Sequence, residues 1–321
     1  MRPRRILLTG AAGFVGRHLC ARLAASFPEA ALLATGEAAG DGIARMDVTD
    51  AAATLAVLEE FRPDAVIHLA AVAAVPEANR EADRAWQVNF SATRGLARAV
   101  LRAVPEACFL YVSSAAVYGR SFRAASGGPV AETAPLEPLD TYAATKAAAE
   151  MALSAMTSEG LRLIRLRPFN HIGPGQSPAF AIAAFARQIA RIEAGMQPPE
   201  LAVGALDAER DFLDVRDVCA AYAAALTHAD ALAPGIAINL ASGVARRIGA
   251  VLDELLAEAR VPIAVRTDPA RLRPDDLPRS VGDPALARRM LGWRPEIPWA
   301  STLADILADC RRAASPWSLR R

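Results

Sequence analysis

Tyr142 and Lys146 form a YxxxK pair with the potential to move a proton. The residues around them, including Ala143, Ala147 and Glu150, favour a helix. Positions i and i+4 would then place the phenol and the ammonium on one helix face. A free tyrosine titrates near ~10, and a neighbouring ammonium is expected to lower that pKa so that the phenol can transfer a proton near neutrality. The alternative is an incidental Tyr and Lys on a surface helix.

A pair of hydroxyls precedes this helix in the chain. Residues 109–112 are apolar and predict a buried strand, which ends at Ser113 and Ser114. A serine hydroxyl and a tyrosine phenol that donate to one substrate oxygen would form a small oxyanion-type site, in which each donor is typically worth ~3 kcal/mol of the barrier. The order of the strand and the YxxxK helix therefore predicts a site that polarises a carbonyl group.

A glycine loop near the N-terminus would bring a phosphate group to the same site. The apolar run at residues 6–9 predicts a buried strand, and it is followed by Gly10, Gly13 and Gly16 and then by a helical pattern. Glycine allows the sharp turn, the approach of backbone to a pyrophosphate and the close packing of helix on strand. The helix N-terminus offers N–H groups to the phosphates. An ordinary tight turn is the alternative, but the strand and the helix are the context that a dinucleotide site requires.

Composition narrows the class of protein. The chain has 321 residues, 53% of them hydrophobic, and a net charge of +1, which favours neither nucleic acid nor an anionic membrane as a partner. No apolar run predicts a membrane span or a signal peptide, so we expect a soluble, cytoplasmic protein. Four scattered cysteines without CxxC spacing or His companions predict reduced thiols and no metal site: Cys20, Cys108, Cys219 and Cys310.

The GxxGxxG spacing resembles that of the extended branch of the short-chain dehydrogenase/reductase superfamily. The resemblance implies that Asp47 lies beside adenine, that the small residues after the strand at 64–68 leave room for the cofactor, and that Asn89 heads a helix and stabilises the central sheet. The implied cofactor-binding residues are Gly10, Gly13, Phe14, Val15, Gly16, Thr35, Asp47, Val48, Leu69, Ala70, Ala71, Asn89, Tyr142 and Lys146.

The choice between NADH and NADPH depends on the end of the second predicted strand, around residues 30–35. An acid there bonds the ribose 2′-hydroxyl, whereas a basic residue accepts a 2′-phosphate. Glu37 follows this strand and would repel a 2′-phosphate, and Arg17 is the nearby arginine in sequence. The choice stays open, with a slight preference for NADH.

The same resemblance makes Ser114, Tyr142 and Lys146 the catalytic residues, with Ser114 supporting the substrate carbonyl. Sugar-nucleotide 4,6-dehydratases of this superfamily carry Thr-Asp-Glu where this chain has Ser114, Ala115 and Ala116. The acid and base that remove water are therefore missing. Dehydration is disfavoured, which leaves simple reduction or oxidation, or epimerisation through a 4-keto intermediate.

A closer resemblance is to the GDP-4-keto-6-deoxy-D-mannose reductase family. The segments that carry it are residues 167–176 (RPFNHIGPGQ), 186–195, 209–217, 272–274 and 292–295. It implies reduction at C4 of a GDP-4-keto-6-deoxyhexose, with Tyr142 delivering the proton and GDP-D-rhamnose as the product. The family often has Glu at the position of Ala116 and a basic residue near Glu37. The C4 epimer, GDP-6-deoxy-talose, therefore stays open as the product.

The resemblance also assigns the substrate side. It implies that Asn170 contacts the sugar or its phosphates, and that Arg210 and Arg273 bind the diphosphate, for which a guanidinium fork is suited. The alternatives are a loop-capping amide for Asn170 and a salt-bridged strand edge for the Arg-Asp stretch. His171 is predicted to be structural or a partner of other site residues.

Architecture follows from these assignments. We predict an α/β protein with a doubly wound Rossmann parallel sheet and a smaller mixed α/β substrate lobe. The Rossmann domain would comprise residues 1–168 and 237–261, and the lobe residues 169–236 and 262–321. Members of the superfamily dimerise through the Tyr-Lys helix and its neighbour, here residues 86–103, so a homodimer is expected. A nucleotide-sugar epimerase with tightly bound NAD and a non-catalytic nucleotide-sugar sensor remain alternatives.

Overall fold

The structure of the protein is a computed structural model, which describes residues 2–125, 127–272 and 277–315. Its strands alternate with helices along most of the chain, as a doubly wound fold requires. The strands are β1 (Arg5–Thr9), β2 (Ala31–Gly36), β3 (Ala44–Arg45), β4 (Ala65–His68), β5 (Cys108–Val112), β6 (Arg162–Pro168), β7 (Asn170–Ile172), β8 (Glu200–Val203), β9 (Glu209–Asp214), β10 (Ile236–Leu240), β11 (Ala245–Arg247), β12 (Ala264–Thr267) and β13 (Arg279–Ser280).

The helices pack in two layers on the main sheet and in a third group on the lobe. They are α1 (Phe14–Ser26), α2 (Ala51–Phe61), α3 (Val75–Arg80), α4 (Ala82–Trp86), α5 (Thr93–Ala103), α6 (Ser121–Ala124), α7 (Thr141–Ala155), α8 (Ala181–Glu193), α9 (Val215–Thr227), α10 (Ile248–Ala257), α11 (Ala285–Leu291) and α12 (Trp299–Ala313). Within the three described ranges, no helix is both long and apolar enough to cross a membrane.

The main sheet is parallel throughout, in the order β10-β6-β5-β4-β1-β2-β3. Its order reverses between β1 and β4, and such a switch point opens a crevice at the carboxyl ends of the strands. Helices α1 and α9 cover one face, and α2, α5 and α7 contribute the apolar core of the other. The doubly wound Rossmann prediction is therefore confirmed.

The smaller lobe is mixed. In it β9 pairs with β7 and β13 in parallel and with β11 antiparallel, while β8 pairs with β12. Helices α8, α10 and α12 enclose a separate apolar core with β8 and β9. Helix α9 lies within the predicted lobe range but packs on α1, so it covers the main sheet. The residue ranges of the two domains otherwise stay a prediction.

A π-helical turn at Gln87–Ala92 interrupts the long helical segment between α4 and α5. The sequence predicted that Asn89 would head a helix, which is wrong, because Asn89 lies inside this turn. A π-turn carries one extra residue and frequently occurs at functional sites. Here it turns the Asn89 side chain towards the backbone of Val72, in the segment after β4.

Candidate active site at the carboxyl edge of the sheet

The glycine loop after β1 packs directly on the loop after β4. Gly10 has a φ of +73°, and a Cβ there would lie 2.7 Å from the backbone nitrogen of Ala70. A Cβ at Gly16 would lie 2.5 Å from the carbonyl oxygens of Gly10 and Ala11. Gly13 caps α1 in an extended conformation and has no side chain to occupy the helix N–H groups. This close-packed loop with open N–H groups fits the pyrophosphate of a dinucleotide.

A buried hydrogen-bond chain fixes the two loops relative to each other. The Thr9 hydroxyl lies 2.7 Å from Nδ1 of His68, and the Thr93 hydroxyl lies 2.8 Å from Nε2 of the same ring. Thr93 in turn donates to the carbonyl of Asn89, and the N–H of Ala70 donates to Thr9. Burial lowers the pKa of His68 to about 3, so the ring is neutral. The chain links the ends of β1 and β4 to the π-turn.

Asn89 acts as a tie between three segments. Its side chain is fully buried, accepts from the N–H of Val72, and donates to the Val72 carbonyl and to the Thr145 hydroxyl. Because protein encloses the amide, Asn89 would not contact the cofactor directly. It would support a cofactor site by positioning Val72 and Thr145, to which it is hydrogen-bonded. Leu69, Ala70 and Ala71 follow β4 and are half-buried.

Other predicted cofactor residues lie at the ends of β2 and β3. Thr35 is buried and its hydroxyl donates to the carbonyl of Leu8, so it serves the sheet. Asp47 is exposed, and hydrogen bonds from the Thr49 hydroxyl and N–H hold the pKa of its carboxyl below the usual range. Val48 beside it is half-buried. An ionised Asp47 with an apolar neighbour is compatible with the predicted adenine edge.

The end of β2 carries a charge pair that the sequence did not reveal. Glu37 is 82% exposed, and its carboxylate lies 3.7 Å from the Arg84 guanidinium on α4. Arg84 also pairs with Glu77 and Glu81, at 3.7 Å and 3.3 Å. Arg17, the arginine considered from the sequence, donates to the Ala12 carbonyl in the glycine loop. Tertiary folding therefore brings the Arg84 guanidinium beside Glu37.

The predicted catalytic pair, Tyr142 and Lys146, lies on the first turns of α7. Asp140 caps this helix by accepting from the N–H of Ala143. Lys146 is buried, donates from Nζ to the Val112 carbonyl at 2.8 Å, and lies 5.1 Å above the Tyr111 ring. Burial lowers the pKa of the Lys146 ammonium to about 8, partly offset by the charge of Glu150. The ammonium is thus fixed at the carboxyl end of β5.

The side chains of Ser114 and Tyr142 are in direct contact. Ser114 caps the 3₁₀ turn at Ala115–Tyr118, and its hydroxyl accepts from the N–H of Ala116 at 3.1 Å. The hydroxyls of Ser114 and Tyr142 are hydrogen-bonded, which lowers the phenol pKa, but burial outweighs this effect and raises the pKa overall. The prediction that Lys146 lowers the Tyr142 pKa below its ordinary value is therefore wrong for this structure. The phenol is protonated near neutrality.

A buried ion pair beneath the site was missed in the sequence. Glu150 is fully buried on α7, and its carboxylate accepts from Nε of Arg167 at 3.0 Å and from Nη2 at 2.7 Å. Arg167 on β6 also donates to the Tyr118 hydroxyl at 2.8 Å, and Tyr118 donates to Asn239 on β10. The sequence did contain a sign of this pair. Glu150 lies one turn after Lys146 in an apolar helix, and Arg167 ends an apolar strand, so two charged residues are placed where burial is expected. The pair fixes α7 on the sheet.

The loop after β6 joins the two parts of the site. The Nδ1–H of His171 donates to the Phe169 carbonyl at 2.9 Å, the ring stacks on that of Phe14, and burial lowers the pKa of the imidazole. His18 on α1 bonds the Pro174 carbonyl, and the N–H of Gly175 donates to Asp309 on α12. The loop therefore touches the start of α1 and the lobe together, and His171 has structural contacts, as predicted.

The predicted substrate residues occupy neighbouring strands. Asn170 begins β7, is exposed, and pairs in register with Phe212 on β9. Arg210, two residues earlier on β9, donates to the carbonyls of Glu209 and Leu277. Arg273 lies outside the described residues. Among the residues that the structure describes, no group of three His, Cys, Asp or Glu side chains is arranged to hold a metal ion.

These contacts define a dinucleotide-binding protein of the short-chain dehydrogenase/reductase superfamily, with the glycine loop at the switch point and the Ser-Tyr-Lys group at the same sheet edge. More narrowly, the chain belongs to the NAD dependent epimerase/dehydratase family, whose model matches residues 6–241.

Individual relatives cover nearly the whole chain. GDP-6-deoxy-D-mannose reductase from Pseudomonas aeruginosa is 41% identical over 95% of this chain and 97% of its own length. GDP-6-deoxy-D-talose 4-dehydrogenase from Aggregatibacter actinomycetemcomitans is 27% identical over 90% of this chain and 91% of its own. A solved structure of RMD from Pseudomonas aeruginosa with NADPH superposes with a TM-score of 0.85, at 38% identity, and covers 96% of this chain and 98% of that one.

Proposed function

We propose that the protein reduces the C4 keto group of a GDP-4-keto-6-deoxyhexose with NADH or NADPH. The product is GDP-D-rhamnose (GDP-6-deoxy-D-mannose) or its C4 epimer, GDP-6-deoxy-talose. The observation that carries the proposal is the hydrogen bond between Ser114 and Tyr142 beside a buried Lys146. The 41% identity to GDP-6-deoxy-D-mannose reductase supports the choice of substrate.

The cofactor would be held along the carboxyl edge of the sheet. The loop from Gly10 to Gly16 and the start of α1 receive the pyrophosphate, and Asp47 and Val48 receive the adenosine side. Leu69, Ala70 and Ala71 leave space between the two ends. When bound, the reduced dinucleotide supplies a hydride. The Asn89 and His68 hydrogen bonds keep these loops in place.

Ser114 and Tyr142 act on the C4 carbonyl oxygen. Both hydroxyls donate to that oxygen and stabilise the negative charge that develops on it. Tyr142 then transfers its proton to the oxygen, so that the alcohol forms. Its raised pKa keeps the phenol protonated until this step. The Lys146 ammonium supports the phenolate that remains, and solvent restores the proton.

The site has no acid or base at positions 115 and 116 that could catalyse the elimination of water. Ala115 is buried, and Ala116 contributes only its N–H to the Ser114 hydroxyl. Neither residue offers an acid or a base, so a 4-keto sugar would be reduced without dehydration. Asn170 contacts the sugar or its phosphates from the start of β7, and Arg210 and Arg273 bind the diphosphate.

Turnover with a defined substrate tests the proposal. The purified protein is given GDP-4-keto-6-deoxy-mannose with NADH and, separately, NADPH, and the hexose is identified by NMR. We expect one reduced cofactor to be consumed per keto sugar. Tyr142→Phe should lower kcat by roughly 10²- to 10⁴-fold while the cofactor dissociation constant is unchanged. Activity without net cofactor consumption would indicate an epimerase, and binding without turnover a sensor.

We also propose that the protein is a homodimer and that it is cytoplasmic. The small molecule that it binds besides the cofactor is the GDP-linked keto sugar. The exposed end of α7 supports the dimer, since Met151 there is 67% exposed. The cytoplasmic location rests on the four cysteines, all free thiols, of which Cys108 and Cys219 are buried.

A further inference from the structure

The two ring nitrogens of His171 have different partners. Nδ1 lies 2.9 Å from the Phe169 carbonyl, and because a carbonyl oxygen only accepts, this nitrogen carries the proton. Burial lowers the pKa of the imidazole, so the ring is neutral near pH 7. Nε2 therefore holds a lone pair and acts as a hydrogen-bond acceptor. In the part of the chain that the structure describes, no group donates to it.

The Nε2 atom is accessible, and the ring that carries it is held in place. It is not among the enclosed side-chain nitrogens and oxygens that lack a partner within the described ranges, so it reaches the protein surface. The His171 ring stacks on the Phe14 ring, with the centroids 6.2 Å apart and the planes 4° from parallel. Gln176 donates from its amide to the His171 carbonyl at 2.9 Å. A fixed acceptor at the surface is preorganised for a donor on a ligand.

The ring lies between the two parts of the site that a dinucleotide must connect. Phe14 is the first residue of α1, at the helix end that fits a pyrophosphate. Phe169 is buried in one apolar cluster with Ala115, the first residue of the turn that Ser114 caps. His171 contacts Phe14 through its ring and Phe169 through Nδ1–H. A dinucleotide that reaches from the pyrophosphate to Ser114 brings its nicotinamide end between these two contacts.

We propose that Nε2 of His171 accepts a hydrogen bond from the carboxamide NH₂ group of the nicotinamide. An amide N–H that leaves water needs an acceptor, and the imidazole with its fixed tautomer supplies one. This bond orients the nicotinamide ring relative to Ser114 and Tyr142. The inference rests on the proposed function, because the dinucleotide of that reaction supplies the nicotinamide. It gives His171 a role in cofactor binding in addition to its structural contacts.

A cofactor analogue that lacks the amino group tests the assignment without turnover. In 3-acetylpyridine adenine dinucleotide and its 2′-phosphate, a methyl group replaces the amino group and the carbonyl is kept. Calorimetric titration compares the analogue with NAD⁺ or NADP⁺, whichever the wild type binds more tightly. His171→Phe keeps an aromatic ring beside Phe14. We expect it to raise the dissociation constant of the natural cofactor about three- to tenfold more than that of the analogue, as loss of one neutral hydrogen bond does.

Two further variants separate this hydrogen bond from the structural contacts of the ring. His171→Asn keeps an N–H for the Phe169 carbonyl but is too short to replace Nε2, so it should show the same difference between the two cofactors. His18→Phe is the matched control. His18 contacts the same Phe14 ring edge-on at 5.5 Å, and its Nε2 is already bonded to the Pro174 carbonyl. It should change both dissociation constants by equal factors.

Equal factors for the natural cofactor and the analogue in His171→Phe and His171→Asn would show that His171 only supports Phe14 and the loop, which overturns the proposal. Weaker binding of GDP with an unchanged ratio of the two cofactors would assign the acceptor to the nucleotide sugar and overturns it as well. Binding of the analogue verifies that each variant is folded.

The outcomes also separate this inference from the proposed function. Wild-type protein that binds the cofactor but reduces no GDP-4-keto-6-deoxyhexose would refute the function, and the titrations would still decide the role of His171. Wild-type protein that reduces the sugar, with equal factors in both His171 variants, would refute the role of His171 alone. Failure of the wild type to bind either NAD⁺ or NADP⁺ would refute both.

Discussion

At Lys146, a charged group is enclosed between a carbonyl, an aromatic ring and two titratable neighbours. The Val112 carbonyl accepts from the ammonium, Glu150 lies one turn along α7, and the nearby ring of His68 is neutral. Because burial disfavours the charged form, the pKa of Lys146 falls to about 8. The lysine therefore carries its charge below that pH and loses it above.

We expect the kcat of reduction to fall as the pH rises through about 8, because the neutral amine no longer supports the Tyr142 phenolate. The measurement is a pH profile of kcat at saturating cofactor and substrate. Tyr142 does not explain such a limb, since burial raises its pKa above the ordinary value of 10.0. A kcat that stays constant through pH 8 would contradict the role given to the ammonium.

Cofactor preference is a second question at the residue scale, and it concerns Glu37. Its carboxylate is 82% exposed, so Glu37→Gln should cost little stability. The substitution removes a charge that repels a 2′-phosphate, and it removes one of the three carboxylates that pair with Arg84. We expect the ratio of kcat/KM for NADPH over NADH to rise roughly tenfold, the equivalent of 1.4 kcal/mol.

Glu29→Gln is the control for this prediction, because Glu29 is exposed before the amino end of β2, away from the site. An equal change in both variants would show a general effect of net charge rather than a local one at the ribose.

Among the elements, α7 depends on the buried pair of Glu150 and Arg167. Arg167 is 4% exposed and Glu150 is fully buried. Removal of one partner leaves an unpaired buried charge, so Glu150→Ala should lower the free energy of unfolding by about 3–5 kcal/mol. Urea denaturation measures this. Asp230→Ala, which breaks the more exposed pair with Arg162, should lower it far less, because solvent screens that pair. Equal losses in both variants would contradict the prediction.

Local patterns in the sequence predicted the elements that carry chemistry. The glycine loop, the strand before Ser114 and the YxxxK helix each follow from spacing and composition over a few residues. The sequence also predicts a last short strand at residues 261–265. The observed strand β12 begins only at Ala264, because Pro262 has no N–H for a ladder and β12 pairs with β8 only beyond it.

Contacts between distant segments were not predictable in this way. The extra residue of the π-turn is held by Asn89 bonding to Val72 and Thr145, which lie on other elements. Its own sequence is that of an ordinary helix. The pairing of Glu37 with Arg84 and of Arg246 with Trp299 likewise joins segments that only the tertiary fold brings together. The pKa of Tyr142 was mispredicted for the same reason, since burial is a property of the whole fold.

For the whole molecule, α5 and α7 form the proposed dimer face. Met151 on α7 is the large apolar side chain with the greatest exposure among the described residues. We expect Met151→Asp to shift the mass measured by light scattering from dimer to monomer, because a carboxylate would be buried without a partner.

Val261→Asp changes an exposed apolar residue outside α5 and α7 and should leave the dimer intact. A monomeric mass for the wild type would refute the interface.

The place of β10 in the main sheet has a consequence during synthesis. β10 pairs with β6, although residues 169–235 lie between them in the chain. During synthesis, β6 therefore remains an unpaired sheet edge until residues 236–240 leave the ribosome. Unpaired edge strands can pair with other chains and aggregate. Near the carboxyl end of β6, Arg165 and Arg167 share one carboxylate, that of Glu150, so a net positive charge remains at this edge. Their charge would discourage premature pairing between nascent chains until β10 closes the sheet.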